Sequence, residues 1–184
     1  MIYSQVLATG SGIPERVVPN DFFNYLVEDA DNWIFSRTGM RERRFADPSE
    51  STSDLATVAA LNALKQGDID PAELDCIILG TSTADMILPA AASMVQKNIG
   101  AVNAFAFDIN AVCSSFVFAM EVADNFIRSG KYNRILVIGA DTYSKILDFQ
   151  DQTTCPLFGD GAGAALLGST TEKKGILQSI IKSD

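Results

Sequence analysis

The sequence predicts an α/β fold: a mixed, mostly parallel sheet with helices on both of its faces. Two stretches, residues 76–81 and 134–140, are almost continuously apolar, which is typical of strands that are covered on both faces. Between such stretches, apolar residues recur at three- and four-residue spacing, which is typical of amphipathic helices. Strand and helix therefore alternate from residue 52 to residue 140, and this alternation is the pattern of α/β proteins.

Length and composition predict one domain with a substantial core. The chain has 184 residues, of which 47% are apolar, and it is too short for two ordinary domains. Its net charge of −9 disfavours nucleic acid and anionic membranes as partners, because an acidic surface repels both. The N-terminus lacks a basic segment followed by an apolar one, and no apolar run approaches the roughly 20 residues that span a bilayer. We therefore expect a cytoplasmic protein.

The three cysteines, Cys76, Cys113 and Cys155, indicate a reduced protein. Their number is odd and their spacing contains no Cys-x-x-Cys pair, so the sequence predicts neither a disulfide framework nor a metal site. Cys76 opens an apolar stretch and is expected in the core.

The first 70 residues are predicted to form one strand, two short helices and one long helix. Ser51 and Asp54 give the long helix a strong N-terminal cap. Arg41, Arg43 and Arg44 form the densest basic group of the chain, and such groups are most often solvated and ion-paired. The four elements are a strand over 3–9, a helix that starts near 20, a helix over about 30–38 and a helix over about 52–66.

The second half of the chain is predicted to continue the alternation and to end in strands. Phe158 begins a glycine-rich segment that leads into an apolar run. Dinucleotide-binding glycine loops have the opposite order, because they follow a strand and open a helix, so that function is not expected here. The elements are a helix from about 90 to 100, a strand over 104–109, a helix to 128, a strand over 134–140, a loop over 142–156 and strands over 158–167 and 175–181.

Cys113 stands at a predicted junction between a strand and a helix. The strand ends near Ile109, and Ser114 and Ser115 open the following helical pattern. Backbone N–H groups at a helix N-terminus are unpaired and the helix dipole favours negative charge, so a thiol there is biased toward the nucleophilic thiolate. Free cysteine is also among the most buried residue types, so the residues alone leave a small core side chain as an equal alternative.

The chain contains no histidine. Histidine is the usual general base near neutral pH and the commonest partner of a catalytic cysteine. Any mechanism that pairs Cys113 with a histidine therefore needs one from outside these 184 residues.

Four spaced motifs together resemble β-ketoacyl-acyl-carrier-protein synthase III, the condensing enzyme that starts type II fatty acid synthesis and has the thiolase fold. The resemblance extends over nearly the whole chain and implies the first of two βαβαβαββ-type halves, residues 1–184. In that family the second half supplies a catalytic His and Asn, so this chain is a fragment, one part of a split protein or a degenerate member. The motifs are Asp31-Asn32-Trp33-Ile34, Arg37-Thr38-Gly39 followed by Arg41-Glu42-Arg43, Phe107 to Ala111 before Cys113, and Phe158 to Ala164.

The resemblance implies that Cys113 takes an acyl group from acyl-CoA as a thioester. The carbanion that forms when malonyl-acyl-carrier protein loses carbon dioxide then attacks that thioester. The backbone N–H of Cys113 is the implied donor to the tetrahedral oxyanion. Acyl-CoA is a substrate in this scheme, and no permanently bound cofactor is implied. Without the missing His and Asn, the chain alone is expected not to condense.

The resemblance also implies binding residues and a dimer. Trp33 matches a residue that stacks on the adenine of CoA, and Arg37 lies where a cation meets the CoA phosphates. Gln152 stands where the family often has an arginine, and Leu88 matches a residue, often Phe, that reaches into the partner subunit's acyl pocket. The family is homodimeric through the strand that here runs from Ala104 to Ile109.

Two other functions stay open at this point. One is a related synthase that makes a starter unit for a secondary metabolite, which the departures at Gln152 and Leu88 allow. The other is a non-catalytic interaction half that completes the core of another chain. Faster alkylation of Cys113 than of Cys76 and Cys155 would favour the enzyme.

Overall fold

The computed structural model describes residues 1–182, which form a five-stranded mixed sheet, a separate two-stranded sheet and four α-helices. The strands are β1 (Tyr3–Gly12), β2 (Arg16–Pro19), β3 (Glu42–Phe45), β4 (Cys76–Gly80), β5 (Phe105–Ile109), β6 (Arg134–Thr142) and β7 (Asp160–Thr170). The helices are α1 (Ala30–Thr38), α2 (Thr52–Gly67), α3 (Ala91–Ile99) and α4 (Ser115–Arg128).

The large sheet has the strand order β1-β7-β6-β4-β5. Strand β4 runs parallel to β5 and β6, whereas β7 runs antiparallel to β6 and β1. Its strands and helices α2, α3 and α4 follow one another as βαβαβαββ, which confirms the predicted order. Four of the five strands run in the same direction, as predicted for a mixed, mostly parallel sheet. Strand β7 runs opposite to them, because it joins β6 through a loop without a crossover helix.

Two layers of helices cover the two faces of this sheet. Helices α2 and α3 pack on one face, largely through alanine side chains that let the helices approach closely, and α4 packs on the other. Every residue of β4 is buried, as predicted for a central strand. The predicted cap of α2 is present: Ser51 Oγ accepts from the Asp54 backbone N–H at 3.3 Å, and the Asp54 carboxylate accepts from the Ser51 N–H at 2.9 Å.

The two edges of the large sheet differ. Strand β5 forms one edge and pairs with β4 in unbroken register over its five residues. Strand β1 forms the other edge, and its register against β7 shifts between Val6 and Ala8. This irregularity bends the strand locally.

A third cluster of buried residues joins β2, β3 and α1 to the segment between β6 and β7. Its buried members include Val18, Phe23, Ile34, Phe45 and Cys155. This region also corrects the predicted basic surface patch: Arg43 is buried on β3, while Arg41 and Arg44 are accessible and contact carboxylates. Successive side chains of a strand point to opposite faces, and Arg43 falls on the inner face of β3.

Two predicted elements are wrong. The helix expected to start near Asn20 is a 3-10 turn of four residues, Asn20–Phe23. It ends before a second helical turn forms. The strand expected over 175–181 is reduced to one bridge between Ile176 and Ser4, after which the segment leaves β1. Within residues 1–182, no helix has the length and apolar character that crossing a membrane requires.

Candidate active site

The carboxyl ends of three parallel strands meet at one edge of the large sheet. Gly80 at the end of β4 lies opposite Ile109 of β5 and Gly139 of β6. The backbone N–H of Thr81 extends the pairing by donating to the Ile109 carbonyl at 3.1 Å. Ligands of open α/β sheets collect at such edges, outside the carboxyl ends of the strands.

Cys113 lies at this edge and is exposed. It occupies a 3-10 turn, Val112–Ser114, between the end of β5 and the start of α4. Ser115 fixes the turn, because its hydroxyl donates to the Val112 carbonyl at 2.6 Å and accepts from the Ala111 N–H at 2.8 Å. The predicted junction is therefore present, and the alternative of a buried Cys113 is excluded within this structure.

The turn carries strain beside the cysteine. Val112 has a φ of 51°, in the left-handed region that a β-branched side chain rarely adopts. Such strain is kept where the surrounding structure over-determines it, which is common at functional sites. Sequence reasoning missed Val112 and the role of Ser115. A serine two positions after the cysteine was the available signal, since serine hydroxyls often bond nearby backbone groups at helix starts.

Gly80 lets the start of α4 approach the sheet closely. A Cβ atom at this position would lie 2.8 Å from Ser115 Cβ and 2.9 Å from the Ser115 carbonyl carbon. Only glycine leaves room for that contact. The position of the Cys113 turn over the strand ends therefore depends on residue 80 having no side chain.

The other two cysteines are buried and poorly suited to nucleophilic chemistry. Burial, with a smaller effect of the Asp75 carboxylate, raises the pKa of the Cys76 thiol to about 12. Burial also raises the pKa of Cys155, and the Asp151 and Asp148 carboxylates act in the same direction. Both thiols therefore stay protonated at neutral pH, and Cys113 is the accessible thiol.

Asp141 organises the loop that leaves β4 at the same edge. Its Oδ1 atom accepts from the Ser82 backbone N–H at 2.9 Å and from the Thr83 hydroxyl at 2.9 Å, with longer contacts to the Thr81 and Ser82 hydroxyls. The Ser82 hydroxyl also contacts the Tyr143 hydroxyl at 2.9 Å. One carboxylate thereby fixes the loop after β4 and, through Ser82, the segment after β6.

Helix α1 brings two of the predicted binding residues together. The guanidinium carbon of Arg37 lies 4.3 Å from the centre of the Trp33 ring, and Arg37 Nη1 donates to the Trp33 carbonyl at 3.0 Å. Positions 33 and 37 are four residues apart, which places them on the same side of a helix. Trp33 is half-buried and Arg37 is exposed, so the pair faces solvent along one side.

Gln152 and Leu88 lie apart from this pair. Gln152 is exposed in the loop between β6 and β7, and Leu88 is 81% exposed in the loop between β4 and α3. Within residues 1–182, no hydrogen bond or ring contact joins either residue to Trp33 or Arg37. Leu88 shares its exposed tip with Met86 and Ile87, which are also apolar.

Comparison with known proteins identifies the family. Residues 107–184 match the family model described as 3-oxoacyl-[acyl-carrier-protein] synthase III, which is another name for the β-ketoacyl enzyme. The β-ketoacyl-[acyl-carrier-protein] synthase III of Ehrlichia canis is 50% identical over 98% of this chain and 57% of its own length. That of Xanthomonas oryzae is 48% identical over 100% of this chain and 56% of its own length. The chain belongs to the β-ketoacyl-[acyl-carrier-protein] synthase III family.

Solved structures agree with this family. The 3-oxoacyl-[acyl-carrier-protein] synthase III of Aquifex aeolicus superimposes with a TM-score of 0.89 at 42% identity, over 92% of this chain and 55% of that chain. A priming β-ketosynthase of the R1128 polyketide pathway gives 0.88 at 34% identity, over 91% of this chain and 50% of that chain. The chain therefore spans little more than half the length of the β-ketoacyl synthase III proteins that it matches.

Proposed function

We propose that these residues form the nucleophile-bearing half of a condensing acyltransferase that starts type II fatty acid synthesis. The observation that carries the proposal is the exposed Cys113 in the strained turn ahead of α4, at the carboxyl edge of the sheet, in a chain of this family. Residues 1–184 correspond in this proposal to the first of the family's two halves, and the second half brings the His and Asn.

The first chemical step is acyl transfer to Cys113. The thiolate sulfur attacks the carbonyl carbon of an acyl-CoA thioester and forms a tetrahedral intermediate whose oxyanion accepts from the Cys113 backbone N–H. The carbon–sulfur bond to CoA then breaks, CoA leaves as its thiolate, and the acyl group stays on Cys113. The N-terminus of α4 favours the negative charge of the attacking sulfur.

The second step joins two carbons. Malonyl-acyl-carrier protein loses carbon dioxide, and the electron pair of the broken bond attacks the acyl carbonyl on Cys113. The bond from that carbonyl to sulfur breaks and returns the thiolate. The enolate that precedes the attack needs hydrogen-bond donors, which the His and Asn supply in this proposal.

The acylation step has a direct test. The chain is incubated with acetyl-CoA and with longer acyl-CoAs, and the mass of each cysteine-containing peptide is measured. We expect the acyl mass on Cys113 and none on Cys76 or Cys155. Cys113→Ser is the control that should abolish the modification. A chain that is never acylated, while its exposed thiol still reacts with iodoacetamide, would instead favour the non-catalytic interaction half.

Binding of CoA is proposed at α1 and the loop between β6 and β7. Trp33 would stack on the adenine and Arg37 would meet the phosphates, with the existing contact of these two side chains in support. Gln152 supplies no cation where many family members have one, so we expect weaker CoA binding than a Gln152→Arg variant shows. Titration with CoA, followed by the fluorescence of Trp33, compares the two.

Acyl-chain choice and dimer formation are proposed at β5 and Leu88. The edge position and the partly exposed apolar face of β5 support pairing of this strand with its counterpart in a second copy. Leu88, exposed at the loop tip, would then reach the partner's acyl pocket, where a side chain smaller than Phe admits longer or branched chains. A complete protein that accepts only acetyl-CoA would contradict this assignment.

One observation favours a second candidate within the same chemistry. The R1128 priming β-ketosynthase, from a polyketide pathway, matches almost as well in structure as the Aquifex aeolicus enzyme. A starter-unit synthase for a secondary metabolite would use the same Cys113. Acylation of Cys113 by a series of donors compares the two candidates, since they differ in the acyl group that they transfer.

A further inference from the structure

Arg43 is a buried cation without an opposite charge. Its side chain lies beside Phe23 of the third hydrophobic cluster, and the residue is 7% exposed. Within residues 1–182, no carboxylate forms an ion pair with it. Its guanidinium carbon lies 5.0 Å from the centre of the Phe23 ring, and burial lowers its pKa from the ordinary value. Burying a charge in this way is costly unless its hydrogen bonds compensate.

The guanidinium joins β3 to two other segments of the chain, residues 18–20 and the loop at Pro156. Nη1 donates to the Val18 carbonyl of β2 at 3.1 Å. Nη2 donates to the Asn20 side-chain carbonyl at 2.7 Å and to the Pro156 carbonyl at 3.0 Å. Nε has no hydrogen-bond partner among residues 1–182. Pro156 belongs to the loop between β6 and β7, the same loop that carries Gln152.

Asn20 extends this network to helix α1. Its side-chain NH₂ donates to Asp31 Oδ1 at 2.9 Å and to the Met40 carbonyl at 2.7 Å. Asp31 lies in the first turn of α1, two residues before Trp33. Asn20 is 1% exposed, whereas the Asp31 side chain is 51% exposed. A hydrogen-bonded path, buried at Arg43 and Asn20 and exposed at Asp31, therefore runs from the Gln152 loop to the start of α1.

The path connects the two parts of the chain to which CoA contacts are assigned. A second polar contact also joins these regions, from the Tyr25 hydroxyl to the Phe149 carbonyl at 2.8 Å, three residues before Gln152, but it is exposed. Arg43 holds the loop on the other side of Gln152, at Pro156, through a buried hydrogen bond. The planar guanidinium suits this task, because its fixed fork reaches several acceptors at once, whereas an ammonium is a point donor.

We propose that Arg43 is a positioning residue of the CoA site, which fixes the Gln152 loop relative to Trp33 and Arg37 so that both reach one CoA molecule. This inference rests on the proposed function, because it assumes that CoA binds there. Arg43 itself does not touch CoA. Its effect passes through the loop on one side and through Asn20 on the other.

The first test uses the 184-residue chain, whose single tryptophan is Trp33. CoA is titrated into the wild type, Arg43→Met, Arg43→Lys and Arg44→Met, with Trp33 fluorescence as the readout and at a temperature where all four are folded. Arg44 is the matched control: it is the next residue of β3, faces the other side and donates to the Pro14 carbonyl at 3.1 Å.

We expect the Kd for CoA to rise about tenfold in Arg43→Met and Arg43→Lys, and to stay within about twofold in Arg44→Met. Recovery of the wild-type Kd by Lys would show that charge alone suffices, and would overturn the role as a bridge. Equal losses in the Arg43 and Arg44 variants would also overturn it. A wild-type chain that does not respond to CoA at all would remove the CoA site itself, and with it this role.

The second test is amide hydrogen exchange without CoA, which reports the bridge independently of ligand binding. In Arg43→Met, exchange should quicken both in residues 151–157 and in α1. Asn20→Asp keeps an acceptor for Arg43 and removes the two donations to α1 and Met40, so only α1 should quicken. If Arg43→Met fails to fold, CoA is titrated into Asn20→Asp instead. A raised Kd for CoA supports the inference, and an unchanged Kd overturns it. Unchanged exchange in either segment of a folded Arg43→Met would overturn the inference.

Discussion

At the scale of single residues, the three thiols of this chain differ through their surroundings. Cys76 lies inside a buried central strand, Cys155 lies in the third hydrophobic cluster, and Cys113 lies in an exposed turn. The sequence placed Cys76 correctly from its apolar neighbours, and it left Cys113 open between two roles. Local sequence cannot decide exposure at a strand end, because exposure depends on what the rest of the fold packs against that edge.

We predict that iodoacetamide at neutral pH labels Cys113 on the order of a hundredfold faster than Cys76 or Cys155, because a buried thiol reacts only after the structure opens. Mass spectrometry of peptides after timed quenching gives the three rates. Addition of urea above the unfolding midpoint should make the rates similar. Slow, equal labelling of all three in the folded chain would contradict an accessible nucleophile at residue 113.

We predict that stability falls as pH rises from about 9 toward 12, in part because of Cys76. Its pKa is about 12 in the folded chain, against an ordinary value of 9.0, so the folded state holds the proton more tightly. The stabilisation is complete below pH 9 and is lost as the unfolded thiol ionises. Urea unfolding at pH 8 and 10.5 should show a smaller pH effect in Cys76→Ala, and identical pH effects would contradict this.

At the scale of elements, the helices and central strands could be predicted and the long-range polar links could not. The cap of α2 depends on Ser51 and Asp54, which are neighbours in the sequence, and the burial of β4 follows from its apolar composition. The burial of Arg43 depends on Pro156, which lies 113 positions away, so no local pattern indicates it. The hydrogen bonds from the loop after β4 to Asp141 could not be predicted for the same reason, because Ser82 and Asp141 are 59 positions apart in the sequence.

We predict that Gly80→Ala displaces the start of α4 and costs about 1–3 kcal/mol, as overpacking of a tight contact does. The alkylation rate of Cys113 should change as well, because the displaced Ser115 holds its turn. Gly163→Ala in β7 is the matched control, since a Cβ there would meet nothing within 4 Å. Urea unfolding and timed labelling measure both effects. Similar behaviour of the two variants would mean that the close contact does not position the turn.

We predict that Asp141→Ala loosens the loop after β4 and costs about 1–2 kcal/mol, because partly buried donors lose their acceptor. Amide exchange of residues 81–83 and urea unfolding provide the measurements. Asp141→Asn should lose less, because its Oδ1 can still accept from the Ser82 N–H and the Thr83 hydroxyl. An Asn variant as damaging as Ala would point to a need for the charge.

At the scale of the whole molecule, the 184 residues contain a five-stranded sheet and an accessible thiol but no histidine. We predict that they do not condense acyl-CoA with malonyl-acyl-carrier protein, because loss of a positioned acid–base group alone costs about 10²- to 10⁴-fold. The assay is release of labelled carbon dioxide together with product detection. Turnover by the isolated chain that disappears in Cys113→Ser would contradict the prediction.

The irregular register of β1 limits how this chain can associate. If copies joined head to tail, β5 of one copy would pair with β1 of the next, and the sheet would grow without end into a fibre. The shift between Val6 and Ala8 spoils β1 as a template for such growth, in the way that bulged edge strands resist aggregation. Of the two edges of the large sheet, the regular β5 edge is the one suited to pairing, and in the proposed dimer two such edges would meet about a two-fold axis. Growth of the sheet beyond that pair is disfavoured at β1, because its register is irregular.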